Sequence, residues 1–299
     1  MSKQLVLGTV QFGMPYGINN LLGQPSLEEA YAIVSEAWRA GISEFDTAQA
    51  YGTSEEVLGQ IFDKLKISAQ VKVISKIDPC LNIKNCDALD AGLERSLRRL
   101  RQQKLAALML HHESQMSDWD KGLGDWFIRQ KAEGKFTAIG VSVYTPSKAL
   151  EALENSVIDF VQVSANIIDR RFENEGVFRR AQELGKKIYI RSIFLQGLLL
   201  MEPHRLVGSM MFARSAVENV HALAERAKIS SAELCFGYVM SKWPMASIVF
   251  GADTPEQVHE NVCLAHTCLD ARVFQEADTA LGCDDEQILC PGKWPKKCA

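Results

Sequence analysis

Asp46 and Tyr51 stand five positions apart in FDTAQAYGTSEEVLG, between an apolar run and a helix-forming run. Taken singly they are bland, since Asp suits turns and a Tyr usually packs its ring with the hydroxyl wet. They become a proton-transfer pair only if other ionisable groups converge on them. Two candidates do so: Lys76 near the end of VKVISKI and His111 at the end of LAALMLH. A lysine ending a β-rich run must reach solvent or find a partner. Its ammonium beside a phenol favours the ionised form, making the phenol a better acid at neutral pH. Asp46 can pair with that ammonium, and a neutral His111 can hydrogen-bond an oxygen on which charge develops. The set suits protonation of a carbonyl oxygen.

These four residues can meet only if the elements carrying them share one face. Short β-branched runs at 5–10, 44–48, 71–77, 105–111, 138–142, 160–166, 187–193 and 247–251 alternate with amphipathic runs. That order is the pattern of repeated βα units around a parallel sheet. Ser26 and Glu29 form a capping-box pair ahead of one helix that stops at Gly41, and other helix starts fall near Thr53, Asp87, Ser117, Pro146, Glu175 and Pro255. Two helical stretches, SAVENVHALAERAK and SAELCFGYVMSKW, separate the last two strands. Eight strands and their helices over about 250 residues predict a (β/α)8 TIM barrel, whose active site lies at the strand C-terminal ends. Asp46, Tyr51, Lys76 and His111 come from consecutive strand ends. No GxGxxG or GxxxxGK[ST] motif supports a doubly wound nucleotide-binding sheet. No linker divides the chain, so residues 1–299 are expected to form one domain, with a tail at 270–299 near the barrel mouth and Trp294 a candidate to line the pocket.

With 47% hydrophobic and 23% charged residues and a net charge of -4, the chain reads as globular and lacks bulk attraction for nucleic acid or anionic membranes. No long apolar window or leader pattern is seen, which predicts a cytoplasmic protein. The eight cysteines form no CxxC pair and are expected to be mostly reduced packing residues. His111 and His112 alternate in direction on a strand, and no HxxE or CxxC partner is near, so no metal is expected. Which of the two faces inward depends on strand register. A carboxylate pair for glycoside hydrolysis, drawn from Glu55, Glu56 and Glu113, is disfavoured because Glu55 and Glu56 read as a first helical turn.

The string FDTAQAYG, with SKI and LMLHH after it, resembles the aldo-keto reductases, and the likeness spans nearly the whole chain. The resemblance implies NADP(H) or NAD(H) bound on a (β/α)8 barrel without a Rossmann domain. It assigns Asp46, Tyr51, Lys76 and His111 as the catalytic set. The opening LGTVQFG, with Gly8 and Thr9, agrees with it. IGVSVY places Ser142 to hold the nicotinamide carboxamide, with Val143 where the family has Asn, and FVQVSAN places Gln162 beside it. In IYIRSIFLQGLL, Arg191 stands where many members stack an aromatic ring on nicotinamide, and Ser192 resembles a pyrophosphate-binding serine. VFGADTPEQVHEN puts Gly251 and Gln257 where Lys and Arg often bind the 2′-phosphate of NADPH, with Asp253 nearby. Gln257 and Asn261 are then candidates to contact adenine.

The expected activity is NAD(P)H-dependent interconversion of an aldehyde or ketone and an alcohol, by a monomer acting on a small molecule. The opening LGTVQFGMPYGINN is similar to members of sugar-modifying pathways, which suggests a sugar-derived carbonyl. The residues 194–212, FLQGLLLMEPHRLVGSMMF, supply a long Met- and Leu-rich loop or lid. The resemblance also admits a second class, a cofactor-binding barrel acting as a regulatory partner, as in potassium channel β subunits. The intact tetrad favours chemistry.

Overall fold

A computed structural model describes residues 5–20, 22–82 and 85–295. Eight strands, β1 Leu5–Gly8, β2 Glu44–Asp46, β3 Lys72–Ile77, β4 Leu105–Leu110, β5 Phe136–Ser142, β6 Phe160–Ser164, β7 Lys187–Arg191 and β8 Ser247–Phe250, pair in parallel in sequence order. Pairing of β1 with β8, Leu5 opposite Ile248, closes the barrel. The expected (β/α)8 architecture is therefore the one observed.

Helices α1 Leu27–Arg39, α2 Ser54–Leu65, α3 Cys86–Leu100, α4 Leu123–Ala132, α5 Pro146–Glu154, α6 Arg171–Asn174 and α7 Val177–Glu183 follow strands β1 to β6. After β7 come α8 Arg214–Ala227 and α9 Ser231–Lys242, and after β8 come α10 Pro255–Leu264, α11 Ala271–Ala280 and α12 Glu286–Leu289. The predicted capping box of α1 is present: Ser26 accepts from the Glu29 N–H and Glu29 from the Ser26 N–H. A second box, Ser230 with Glu233, opens α9. The start expected near Ser117 instead lies in a 3-10 helix over Glu113–Lys121. Gly122, at φ 107°, turns the chain out of it before α4. The start expected near Glu175 splits into α6 and α7.

Alternation along each strand sorts side chains into two sets. Leu7, Phe45, Val73, Leu108, Ile139, Val161, Ile190 and Ile248 point outward under the helices and are at most 1% exposed. Each such burial is worth roughly 1.5–3 kcal/mol. Val6, Ile74, Ala107, Met109, Phe160, Tyr189 and Val249 point inward and fill the barrel as a separate apolar cluster. Several expected runs overshoot the strands because their last residues stay buried after leaving the ladder. Ala165 and Ile193 are 1% and 2% exposed under loops.

An opening of about 1120 Å³ lies at the N-terminal end of the barrel among Glu44, Lys72, Lys187 and Tyr189. None of the four residues singled out for proton transfer reaches it. No helix among the described residues is long and apolar enough to cross a membrane.

Candidate active site

The inward cluster predicts where the next layer must lie. Two residues beyond Val6, Ile74, Met109, Phe160, Tyr189 and Val249 come Gly8, Lys76, His111, Gln162, Arg191 and Gly251. Asp46 and Ser142 close β2 and β5 on the same layer, as the pairing of Gly8 with Asp46 and of Ser142 with Gln162 shows. Period-two geometry thus lifts residues from eight separate strands to one end of the barrel, its C-terminal face.

At the centre of this face Lys76 Nζ donates to Asp46 Oδ1 at 2.5 Å and to the Thr47 carbonyl at 3.0 Å, and lies 3.4 Å from the Tyr51 hydroxyl. The side chains of Lys76 and Asp46 are 1% and 5% exposed. The second carboxylate oxygen of Asp46 accepts from Gln162 Nε2 at 2.8 Å, so both oxygens are held. The loop carrying Tyr51 is pinned from below. Thr9 Oγ1 donates to the Asp46 carbonyl at 2.9 Å, Ser54 Oγ donates to the Thr9 carbonyl at 2.8 Å, and Ser54 and Thr47 hydroxyls meet at 3.0 Å. Thr9 is therefore committed to holding the Asp46 loop.

Burial holds the Tyr51 phenol well above its usual range, with Asp46 and Tyr144 adding to the effect and Arg191 opposing it. That overturns the expectation of a phenol depressed by Lys76. The ammonium is in contact with a carboxylate, so the phenol faces an ion pair rather than an isolated cation. Tyr51 remains protonated at neutral pH, as a proton donor must.

His111 faces Tyr51, with ring centroids 5.4 Å apart and planes at 82°. Burial first, then the charges of Lys76 and Arg191, push its pKa down to about 3, so the ring is neutral at neutral pH. Its Nδ1 is buried without a hydrogen-bond partner. His112 points the other way: Nδ1 accepts from the Ser114 N–H at 3.2 Å to cap the 3-10 helix, and the ring stacks on Tyr144 at 5.0 Å. Strand register therefore selects His111 as the inward member.

An elongated cavity of about 330 Å³ starts at Asp46 and Tyr51. Its walls include Gly8, Thr9, Gln162, Arg191 and Ser192, and it continues along Gly251, Asp253, Gln257, Glu260 and Asn261. Ser142 is buried at the end of β5 beside Gln162 and does not line this cavity. The Arg191 guanidinium lies 4.5 Å from the centroid of the Tyr144 ring and donates to the Val143 carbonyl at 3.3 Å. Its Nε and the Ser164 hydroxyl are buried without partners. These walls offer glycine where backbone approach is needed and a planar guanidinium, features able to hold a dinucleotide. A Cβ on Gly251 would meet only the Gln11 amide, at 3.7 Å, so this wall is open.

Two aromatic residues at this face escaped the sequence reading, one lining the cavity and one beside it. Tyr16 is 39% exposed overall, yet it lines the cavity, and burial followed by the neighbouring Tyr51 pushes its phenol up to about 12. Tyr144 follows β5 directly and sits between His112 and Arg191. The only local signal was an aromatic in each of the two loops, MPYGINN and VYTP.

Other expectations are corrected. Trp294 donates to the Ile288 carbonyl at 3.1 Å and is not among the residues lining the cavity. Of the cysteines only Cys235 is buried; Cys80, Cys86, Cys263 and Cys268 are exposed, Cys283 and Cys290 are intermediate, and Cys298 lies outside the described residues. The six that are not buried sit on helix ends and loops, where the barrel core does not need them. Glu55 accepts from Ser75 at 2.7 Å, Glu56 pairs with Arg99 at 3.2 Å, and Glu113 accepts from the Tyr144 and Thr145 N–H groups. These acids hold structure and do not face one another. No cluster of three or more metal-ligating side chains occurs among the described residues.

Comparison with known proteins agrees with this geometry. Residues 4–281 match the Aldo/keto reductase family. An NADH-specific methylglyoxal reductase of Escherichia coli is 26% identical over 285 residues, covering 83% of this chain and 87% of the relative. A D-threo-aldose 1-dehydrogenase of a Pseudomonas species is 22% identical over 297 residues, covering 87% and 90%. The solved structure of an aldo-keto reductase from Bacillus halodurans in its holo form superposes with a TM-score of 0.76 at 21% identity, covering 95% of each chain.

Proposed function

The chain belongs to the aldo/keto reductase family, and from that premise we propose that it is a nicotinamide-dependent oxidoreductase interconverting a small oxygenated aldehyde or ketone and its alcohol. The observation that carries the reading is the buried Asp46–Lys76 pair with Tyr51 3.4 Å from the ammonium and neutral His111 facing the phenol.

When bound, the nicotinamide supplies the hydride. The side chains of the chain supply the rest. Neutral His111 has one ring N–H to donate to a carbonyl oxygen, fixing where that oxygen sits and polarising it. Tyr51, kept protonated by burial, gives its proton to the same oxygen as negative charge develops there. Lys76 is the cation nearest the phenolate left behind, and Asp46 and Gln162 hold it from swinging away. In the reverse direction the phenolate takes the proton back from an alcohol. Tyr16 adds a phenol to the cavity wall, with Tyr144 behind Arg191, which suits a substrate carrying hydroxyls. Small hydroxy- and oxo-aldehydes of the kind named for the relatives fit that polarity.

Oxidation of the reduced cofactor, followed at 340 nm with a panel of small aldehydes and aldoses, tests the proposal. Tyr51→Phe is expected to lower kcat at least a hundredfold while leaving the dissociation constant of the cofactor within about twofold. Full turnover in that variant would remove Tyr51 as the donor. Cofactor binding without turnover of any carbonyl would favour the regulatory barrel instead.

A further inference from the structure

The end of the cavity remote from the tetrad carries charge that bears on which dinucleotide can bind; this step rests on the reading above that the cavity holds such a cofactor. With nicotinamide beside Tyr51, the remaining length passes Ser192 and Gly251 and ends at the first turns of α10. The adenosine ribose is thereby placed against that helix start.

Helix N-termini commonly receive phosphate through free N–H groups. Around the start of α10 several of these are engaged or absent. The Asp253 N–H donates to Gln257 Oε1 at 2.7 Å, the Gln257 N–H donates to Thr254 Oγ1 at 3.3 Å, and Pro255 has no N–H to offer. The Glu256 carboxyl, beside its own N–H and Thr254, is held below the usual carboxylate range.

Cations are missing from the same place. Among the described residues lining the cavity the only Lys or Arg is Arg191, at the tetrad end. His259 on α10 lies 4.0 Å from Glu36, away from the lining. Two carboxylates, Asp253 and Glu260, do line the far end. Asp253 is half-buried and, among the described residues, its Oδ1 is met at 3.3 Å by Asn20 Nδ2. A desolvated carboxylate so weakly met favours hydroxyl donors and opposes a dianion.

We propose that Asp253 accepts hydrogen bonds from the adenosine ribose hydroxyls and, with Glu260, rejects a 2′-phosphate, so that the protein selects NADH over NADPH. The test is binding, read by quenching of Trp fluorescence or by calorimetry at fixed ionic strength. NADH is expected to bind at least tenfold more tightly than NADPH, and 5′-ADP more tightly than 2′,5′-ADP. Raising the salt concentration narrows both ratios, because screening weakens repulsion between charges. Asp253→Asn, with a thermal midpoint unchanged from wild type, is expected to shift the NADH to NADPH ratio at least fivefold towards NADPH. Equal or tighter binding of NADPH by the wild-type protein overturns this inference and leaves the reductase reading standing. An unchanged ratio in a folded Asp253→Asn protein overturns the role of Asp253. Binding of neither dinucleotide overturns both.

Discussion

The Asp46–Lys76 contact is a buried ion pair, and its worth depends on whether one or both partners are removed. Each charge is nearly inaccessible, and Asp46 keeps a single further donor, Gln162 Nε2. Lys76→Met leaves that carboxylate buried with one partner, a situation that costs about 3–5 kcal/mol. Asp46→Leu combined with Lys76→Met removes both charges and is expected to recover a large part of that loss. Urea denaturation of the single and double variants checks this through the coupling energy; additive losses would show that the pair is not coupled. Residue type and spacing made these side chains legible in the sequence, because an acid, a phenol, a lysine and a histidine at consecutive strand ends are improbable as coincidence. The charge state of the phenol was not legible. It depends on how completely Asp46 neutralises Lys76 and on how deeply Tyr51 is buried, and both follow from three-dimensional packing.

Elements, not single residues, fix where the Tyr51 loop rests. The 3-10 turn after β1 packs directly on that loop: a Cβ on Gly13 would lie 1.7 Å from the Tyr51 carbonyl oxygen and 2.6 Å from the Ser54 nitrogen. The approach is reciprocal: a Cβ on Gly52, whose φ is +52°, would lie 2.1 Å from the Gly13 carbonyl oxygen. Neither backbone can yield without shifting Tyr51 relative to Lys76. Gly13→Ala is expected to cost about 1–3 kcal/mol and to lower kcat, whereas Gly292→Ala, where a Cβ meets nothing within 4 Å, leaves both unchanged. Thermal midpoints and kcat measured side by side decide this, and a Gly13→Ala protein with wild-type kcat would show that the loops are not coupled. The order of strands and helices could be read from hydrophobic period, and the capping box from Ser26 and Glu29. The approach of one loop to another could not. Tyr16 joins the site because the β1 loop is tied to the β7 loop, with the Ile18 N–H donating to the Gln196 carbonyl at 3.0 Å, across 178 residues with no local trace.

At the scale of the whole molecule, the barrel concentrates ionisable groups at one end of a closed sheet, and global stability must respond to pH through them. His111 shows the response most directly. Burial disfavours an imidazolium there, and the charges of Lys76 from β3, Arg191 from β7 and, from the adjacent position, His112 disfavour it further. Its folded pKa of about 3 lies below the reference value of 6.5. Between these two values the unfolded chain binds a proton that the folded chain refuses. The stabilisation associated with neutral His111 is therefore complete above pH 6.5 and is lost as pH falls towards 3, with a slope of at most about 1.4 kcal/mol per pH unit. His111→Gln keeps a neutral polar side chain without a proton to gain in this range. Denaturation midpoints from pH 7 to pH 4 are expected to fall more steeply for the wild-type protein than for His111→Gln. Parallel curves would mean that the imidazole takes up its proton in the folded barrel as readily as in the unfolded chain, and His111 would then meet a substrate oxygen as a cation below about pH 6.5.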